Sequence, residues 1–178
     1  MRYDEIASLR DTFIYRNPPD DIFEGVRIAR ECRLHPGYAI YEPGFTRLGA
    51  ALAAELPLIP SPIYRFMFSD EFAWGFPPEN AFLDAHLRLL GEAAPGAPWM
   101  VAGLGVDIRR LIPYAASLGG HARVGLEDAP WGTELTNRMW VDAAVQLFRN
   151  SGRDPAPASE IRKALSEIDT ARGAAAER

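Results

Sequence analysis

Cysteine is nearly absent from this chain: Cys32 is the single thiol in 178 residues, and histidine is limited to His35, His86 and His121. One thiol cannot staple the chain to itself, and it offers no pair with zinc-finger spacing. Cys32 falls in a helical pattern, where a free thiol is expected to pack as a small hydrophobe at the core or its boundary. Basic residues are sparse as well. Lys and Arg number 19 against 24 Asp and Glu, a formal net charge of −5, and they gather into no stripe. Phosphate binding needs a basic face, so no nucleic-acid partner is expected. No apolar run approaches the roughly 20 residues of a membrane span. The start, Met1-Arg2-Tyr3-Asp4-Glu5, carries no apolar leader. No membrane partner is expected, and the cytoplasm is the expected location.

What is present is a core-forming composition, 48% hydrophobic and 24% charged, of a size for one domain. Short apolar runs alternate with amphipathic stretches. Strands are expected at Thr12–Arg16, Gly37–Glu42, Ile63–Phe68, Trp99–Gly103 and His121–Gly125. Helices are expected over Asp20–Leu34, from Pro43-Gly44 to Leu56, and over Pro78–Glu92, Asp107–Leu118, Thr136–Asn150 and Ala158–Ile168. In the fifth of these, Met139, Trp140, Ala143, Ala144, Leu147 and Phe148 recur at helical spacing and make a packing face. His86 lies on the third helix and is expected to face solvent; His35 precedes Pro36 at a helix end, where it suits the helix dipole.

Strands alternating with helices imply parallel βα units. Five strands fall short of a closed eight-stranded barrel, and they would also suit an open doubly wound sheet. No G-x-G-x-x-G follows the first strand, however, and Gly103-Leu104-Gly105 is only a fragment of such a turn, so a nucleotide-binding sheet ranks low. One domain over residues 1–168 is expected, with a loose tail over 169–178.

The chemistry concentrates in Gly119-Gly120-His121-Ala122-Arg123-Val124-Gly125-Leu126-Glu127-Asp128. Side chains alternate along a strand, so His121, Arg123, Gly125 and Glu127 would share one face and Ala122, Val124 and Leu126 the other. An arginine and a carboxylate at the C-terminal end of a parallel strand stand where α/β barrels perform catalysis. Gly125 between them would leave room for a ligand near the backbone. Asp128 has the opposite parity, which a loop could reverse. An Arg123–Glu127 ion pair filling a barrel layer is the structural alternative. His121, at the strand's start, reads as a hydrogen-bonded strand residue rather than a ligand. In the loop after Phe68, Trp74 and Phe76 with Pro77-Pro78 would serve as a substrate lid or as a hydrophobic closure, and Ser69-Asp70-Glu71 reads as a solvated turn.

This ten-residue segment resembles the final-strand signature of the β-keto acid cleavage enzymes. Asn17-Pro18-Pro19-Asp20-Asp21, Trp99-Met100-Val101-Ala102-Gly103-Leu104-Gly105, Thr136-Asn137 and Gly152-Arg153-Asp154-Pro155-Ala156 resemble further segments of that family in order and spacing. The resemblance runs from about Ile6 to Leu165. It implies the C-terminal part, about five βα units, of a (β/α)8 TIM barrel. It implies zinc as cofactor and acetyl-CoA as co-substrate, which reacts with a small-molecule β-keto acid to give acetoacetate and a new acyl-CoA. By position, Glu127 resembles the zinc-ligating glutamate, and Arg123 and Asp128 the catalytic arginine and aspartate.

Two departures stand out. The family's early H-x-H pair of zinc ligands has no counterpart. The fifth-strand pattern Pro-Glu-Leu-Glu-Val-Phe-Asp is replaced by Pro36-Gly37-Tyr38-Ala39-Ile40-Tyr41-Glu42, so Glu42 is the one candidate there for a catalytic carboxylate. The chain alone is therefore expected to be inactive, and to seek either further copies of itself or a complementing N-terminal half. The rival expectation is a degenerate barrel fragment that acts as a binding or interaction module.

Overall fold

The computed structural model describes residues 16–56, 60–72 and 74–176. Over these residues four strands form one parallel sheet in the order β1-β2-β3-β4, comprising β1 (Gly37–Ile40), β2 (Ile63–Phe68), β3 (Trp99–Gly103) and β4 (His121–Ala122). The expected strand at Thr12–Arg16 lies, apart from Arg16, outside the described residues. Helices alternate with the strands: α1 (Pro19–Glu31), α2 (Pro43–Glu55), α3 (Asn80–Ala93), α4 (Ile112–Ser117, entered through a 3-10 turn at Ile108–Leu111), α5 (Asn137–Asn150) and α6 (Ala158–Ala176).

The strand order follows the chain order. Each crossover therefore steps the same way, and right-handed crossovers then place the intervening helices on one face. A doubly wound sheet would reverse direction at a switch point. The observed winding, a parallel sheet in chain order with alternating helices, is compatible with part of a TIM barrel.

Alternation along β2 sets the two faces. Tyr64, Phe66 and Phe68 are wholly buried and join Ile40, Val101, Leu83, Leu90, Leu111 and Ala115 in the core between sheet and helices. Each such large apolar side chain contributes roughly 1.5–3 kcal/mol on burial. Ala39, Arg65, Met67, Met100, Ala102 and His121 take the opposite parity in register, on the face that in a barrel lines the interior.

His86 does not face solvent. It is fully buried on α3, stacked on Phe66 with centroids 4.5 Å apart and edge-on to Phe68 and Phe76. Neither ring nitrogen has a hydrogen-bond partner, and burial holds its pKa down at about 4. Cys32 is exposed rather than packed, because α1 ends at Glu31 and leaves it as the C-cap. The last helix runs on to Ala176, past the expected end at Ile168. Asp169 accepts from the Ser61 N–H at 2.7 Å and Arg172 donates to Ser61 Oγ and the Ala53 carbonyl, so the start of the expected loose tail is helical and tied down. His35 belongs to the same cluster, with Nδ1 at 3.0 Å from the Ser61 carbonyl. No helix among the described residues is long and apolar enough to cross a membrane.

Candidate functional site

β4 is shorter than its sequence suggests. The Arg123 N–H still donates to the Val101 carbonyl at 2.9 Å, but the Gly125 carbonyl then accepts from Asp128 and Ala129 at 3.1 and 3.0 Å, folding residues 125–129 into a turn. That turn reverses the parity of strand alternation. Asp128 comes under Arg123 and is buried, with its side chain 6% exposed, whereas the Glu127 side chain is 81% exposed.

Two close backbone approaches lock the turn. A Cβ on Gly103 would lie 2.6 Å from the Val106 carbonyl oxygen and 2.9 Å from that of Asp128, so only glycine lets β3 pass beneath. The Val106 N–H donates to the Asp128 carbonyl at 3.2 Å across this contact. The space beside Gly125 belongs to Asn137 rather than to a ligand. Asn137 Oδ1 would stand 2.7 Å from a Cβ there and accepts from the Leu126 N–H at 3.3 Å. The start of α5 is in turn fixed by Thr136, whose hydroxyl accepts from the Met139 N–H.

Arg123 links both acids. One terminal nitrogen donates to Asp128 Oδ1, and the other lies 3.6 Å from Glu127 Oε2. Burial raises the Asp128 pKa above the usual carboxylate range, and the Arg123 charge and hydrogen bond oppose the rise. Ala122 and Val124 pack against the core on the other side, as alternation requires. The structural alternative, an Arg123–Glu127 pair, thus exists, but the closer and more buried partner is Asp128.

Glu42 stands apart. It is exposed at the N-terminus of α2, past the end of β1, and accepts from the Gly75 N–H at 2.9 Å. Among the described residues no hydrogen bond or ion pair joins it to Arg123 or Asp128. The loop after β2 is a built segment, not a solvated turn: Ser69 is buried and its hydroxyl donates to the Leu104 carbonyl at 2.8 Å. Phe76 stacks on Phe82 and closes the core, whereas Phe72 and Trp74 pair with each other, 4.4 Å between ring centroids. Trp131, in the loop after β4, is 82% exposed and lies beside Glu71 at Gly105; no motif in the sequence marks it.

No three His, Cys, Asp or Glu side chains among the described residues gather into a metal-binding group. Zinc takes four ligands at a structural site and three protein ligands at a catalytic one. Glu127 offers one, and His121 is exposed at the far, N-terminal end of β4. These residues do not by themselves fit zinc. Two cavities among the described residues, about 410 and 420 Å³, lie among residues preceding the strands, such as Ser61, Ala97 and Gly119. That is the stability end of a parallel barrel rather than its catalytic end.

A model of the beta-keto acid cleavage enzyme family matches residues 2–166. The chain is 34% identical over 85 residues to a 3-keto-5-aminohexanoate cleavage enzyme of Fusobacterium nucleatum, covering 45% of this chain and 31% of that protein. It is 32% identical over 101 residues to a 3-oxoadipate:acetyl-CoA acetyltransferase of Cupriavidus necator, covering 52% of this chain and 36% of that protein. It spans about a third of the length of these relatives. The family match takes in the whole parallel sheet and the Arg123–Glu127–Asp128 turn, and on that ground the chain belongs to the β-keto acid cleavage enzyme family.

Proposed function

We propose that this chain supplies the arginine-and-carboxylate part of a site that cleaves β-keto acids with acetyl-CoA. The observation that carries the reading is Arg123, held at the end of β4 between a buried and an exposed carboxylate. In the proposed reaction R–CO–CH2–COO⁻ and CH3–CO–S-CoA exchange acyl groups, giving R–CO–S-CoA and CH3–CO–CH2–COO⁻. One relative is named for 3-keto-5-aminohexanoate and the other for 3-oxoadipate and acetyl-CoA, both consistent with this class.

Arg123 presents a planar fork of donors. It can give up the loosely held Glu127 to a substrate carboxylate, or to the oxygen of an enolate, while keeping Asp128. Asp128, buried beside Arg123 with its pKa raised by burial, is suited to move a proton at the substrate carbon. Glu42, at the start of α2 just past β1, is the further carboxylate proposed to take part. Glu127, released from Arg123, is the carboxylate this chain would offer a metal. The described residues gather no group of three metal ligands, so the reaction steps here rest on the side chains alone.

The 178-residue chain alone is proposed to bind its substrate without turning it over, and to need further copies or a complementing chain for catalysis. The same lone carboxylate favours a second reading, a binding module without catalysis. The test is acetyl-CoA-dependent acetoacetate formation with zinc supplied, alongside calorimetric binding of acetoacetate. No turnover is expected, with binding that Arg123→Ala abolishes. Turnover by the pure chain would overturn its inactivity and exclude the binding-module reading. Turnover gained when the N-terminal units of a relative are supplied would decide for the enzyme. Absence of both binding and turnover would overturn the site.

A further inference from the structure

β2 carries one charged residue in an otherwise apolar strand, Ile63-Tyr64-Arg65-Phe66-Met67-Phe68. Tyr64, Phe66 and Phe68 fill the helix side, so Arg65 takes the barrel-interior face, in register with Ala39 on one side and Met100 on the other. Met100 pairs with His121, and Arg123 follows two residues later on the same face. Arg65 is thus two strands across from Arg123 and one layer deeper into the sheet.

Its environment is unusual for a structural arginine. The side chain is half-buried, and its Nε is enclosed with no hydrogen-bond partner. Among the described residues Arg65 makes no hydrogen bond and no ion pair. Its charge nevertheless reaches Asp128, whose ionised form it favours. An enclosed guanidinium nitrogen without an acceptor is costly, and an anionic group at this depth would supply the acceptor. Asp128 is already engaged by Arg123. Glu127, the other acid of the site, faces outward. The residue beside Arg65 on β1 is Ala39, whose side chain has no group to pair with it.

We propose that Arg65 receives a carboxylate at the far end of the substrate, so that this site selects β-keto acids bearing a second carboxylate over those ending in a methyl or an ammonium group. This rests on the reading that Arg123 and Asp128 meet the reacting end. Arg65 then acts as a specificity residue, one layer below the chemistry. A planar guanidinium pairs with a carboxylate through two parallel hydrogen bonds, and it repels an ammonium group at the same depth.

Three unreactive probes of equal carbon number separate the possibilities: adipate, hexanoate and 6-aminohexanoate, titrated calorimetrically into the full chain. Adipate is expected to bind about tenfold or more tighter than hexanoate, and 6-aminohexanoate the weakest. Arg65→Gln should close the gap between adipate and hexanoate, Arg65→Lys should keep part of it, and Arg65→Glu should reverse the order in favour of 6-aminohexanoate. Near-ultraviolet circular dichroism checks that each variant is folded; should the glutamine variant fail, the lysine variant still reads the preference. Equal affinity for adipate and hexanoate in the native chain overturns the role of Arg65, as does an adipate preference that survives Arg65→Gln. In either case hexanoate binding that depends on Arg123 leaves the reading of the reacting end standing. If no probe binds and acetoacetate does not bind either, both fall.

Discussion

The Arg123 guanidinium donates to the buried carboxylate of Asp128, five residues further along the chain. Burial pushes Asp128 towards its neutral form, and the arginine holds it back. Arg123→Met should therefore raise the Asp128 pKa further, by roughly 1 to 3 pH units, the usual effect of an opposite charge at contact distance. Carbon-13 titration of the Asp128 carboxyl reads this directly. An unchanged titration would mean that Arg65 or solvent, not Arg123, opposes the effect of burial on Asp128.

The position of Asp128 depends on Gly103. A methyl group there would strike two backbone carbonyl oxygens, which cannot rotate away as a flexible side chain could. Gly103→Ala should destabilise the fold by about 1–3 kcal/mol, as overpacking does. It should also weaken acetoacetate binding, because the displaced carbonyl belongs to Asp128. Urea unfolding and calorimetry test the two halves separately. A variant as stable as the native chain would show that the turn shifts freely.

Much of this arrangement is legible from residue order, and the misses have physical causes. β2 and β3 match their expected bounds because aromatic and β-branched runs fit a pleated surface. β4 stops at Ala122 because the Gly125 turn takes over its hydrogen bonds, a tertiary event that alternation cannot foresee. The same turn brings Asp128 inward and leaves Glu127 outside. His86 sits at helical spacing between Leu83 and Leu90, so the pattern pointed to burial, and the polarity of its ring pointed the other way. Arg65 was readable as a charge among aromatics, but nothing in the strand itself says that no partner meets it.

The last helix is held by its contacts to the segment before β2. Asp169 accepts from the Ser61 N–H, and Ser61 is buried. Asp169→Ala leaves that N–H unsatisfied and should cost about 1–3 kcal/mol. Fraying from residue 158 onward should then expose Arg162, Lys163 and Arg172 to trypsin. Cleavage at these sites at the native rate would show that α6 is held by other contacts.

His86 sets how the fold responds to acid. Its pKa is about 4 in the folded chain because burial among Phe66, Phe68 and Phe76 opposes the charged ring, against about 6.5 in an unfolded chain. Between these values the unfolded state binds more protons, so stability must rise with pH there and fall as the pH drops. The contribution is complete above pH 6.5, and about 2 kcal/mol of it is lost by pH 5. Nearly the full loss, about 3 kcal/mol, is reached below the folded pKa. His86→Leu removes the titrating ring and both unpartnered nitrogens while keeping an apolar side chain among the phenylalanines. Urea unfolding at pH 7.5 and pH 5 should show a steep loss for the native chain and a flatter one for the variant, the difference being about 2 kcal/mol. At pH 7.5 the variant should lie within about 1.5 kcal/mol of the native chain, because apolar replacement of an unpaired polar group offsets part of the lost ring packing. Equal acid sensitivity in both proteins would assign the loss to carboxylates such as Asp107, whose pKa burial pushes up but Arg109 pulls below its ordinary value, and not to His86.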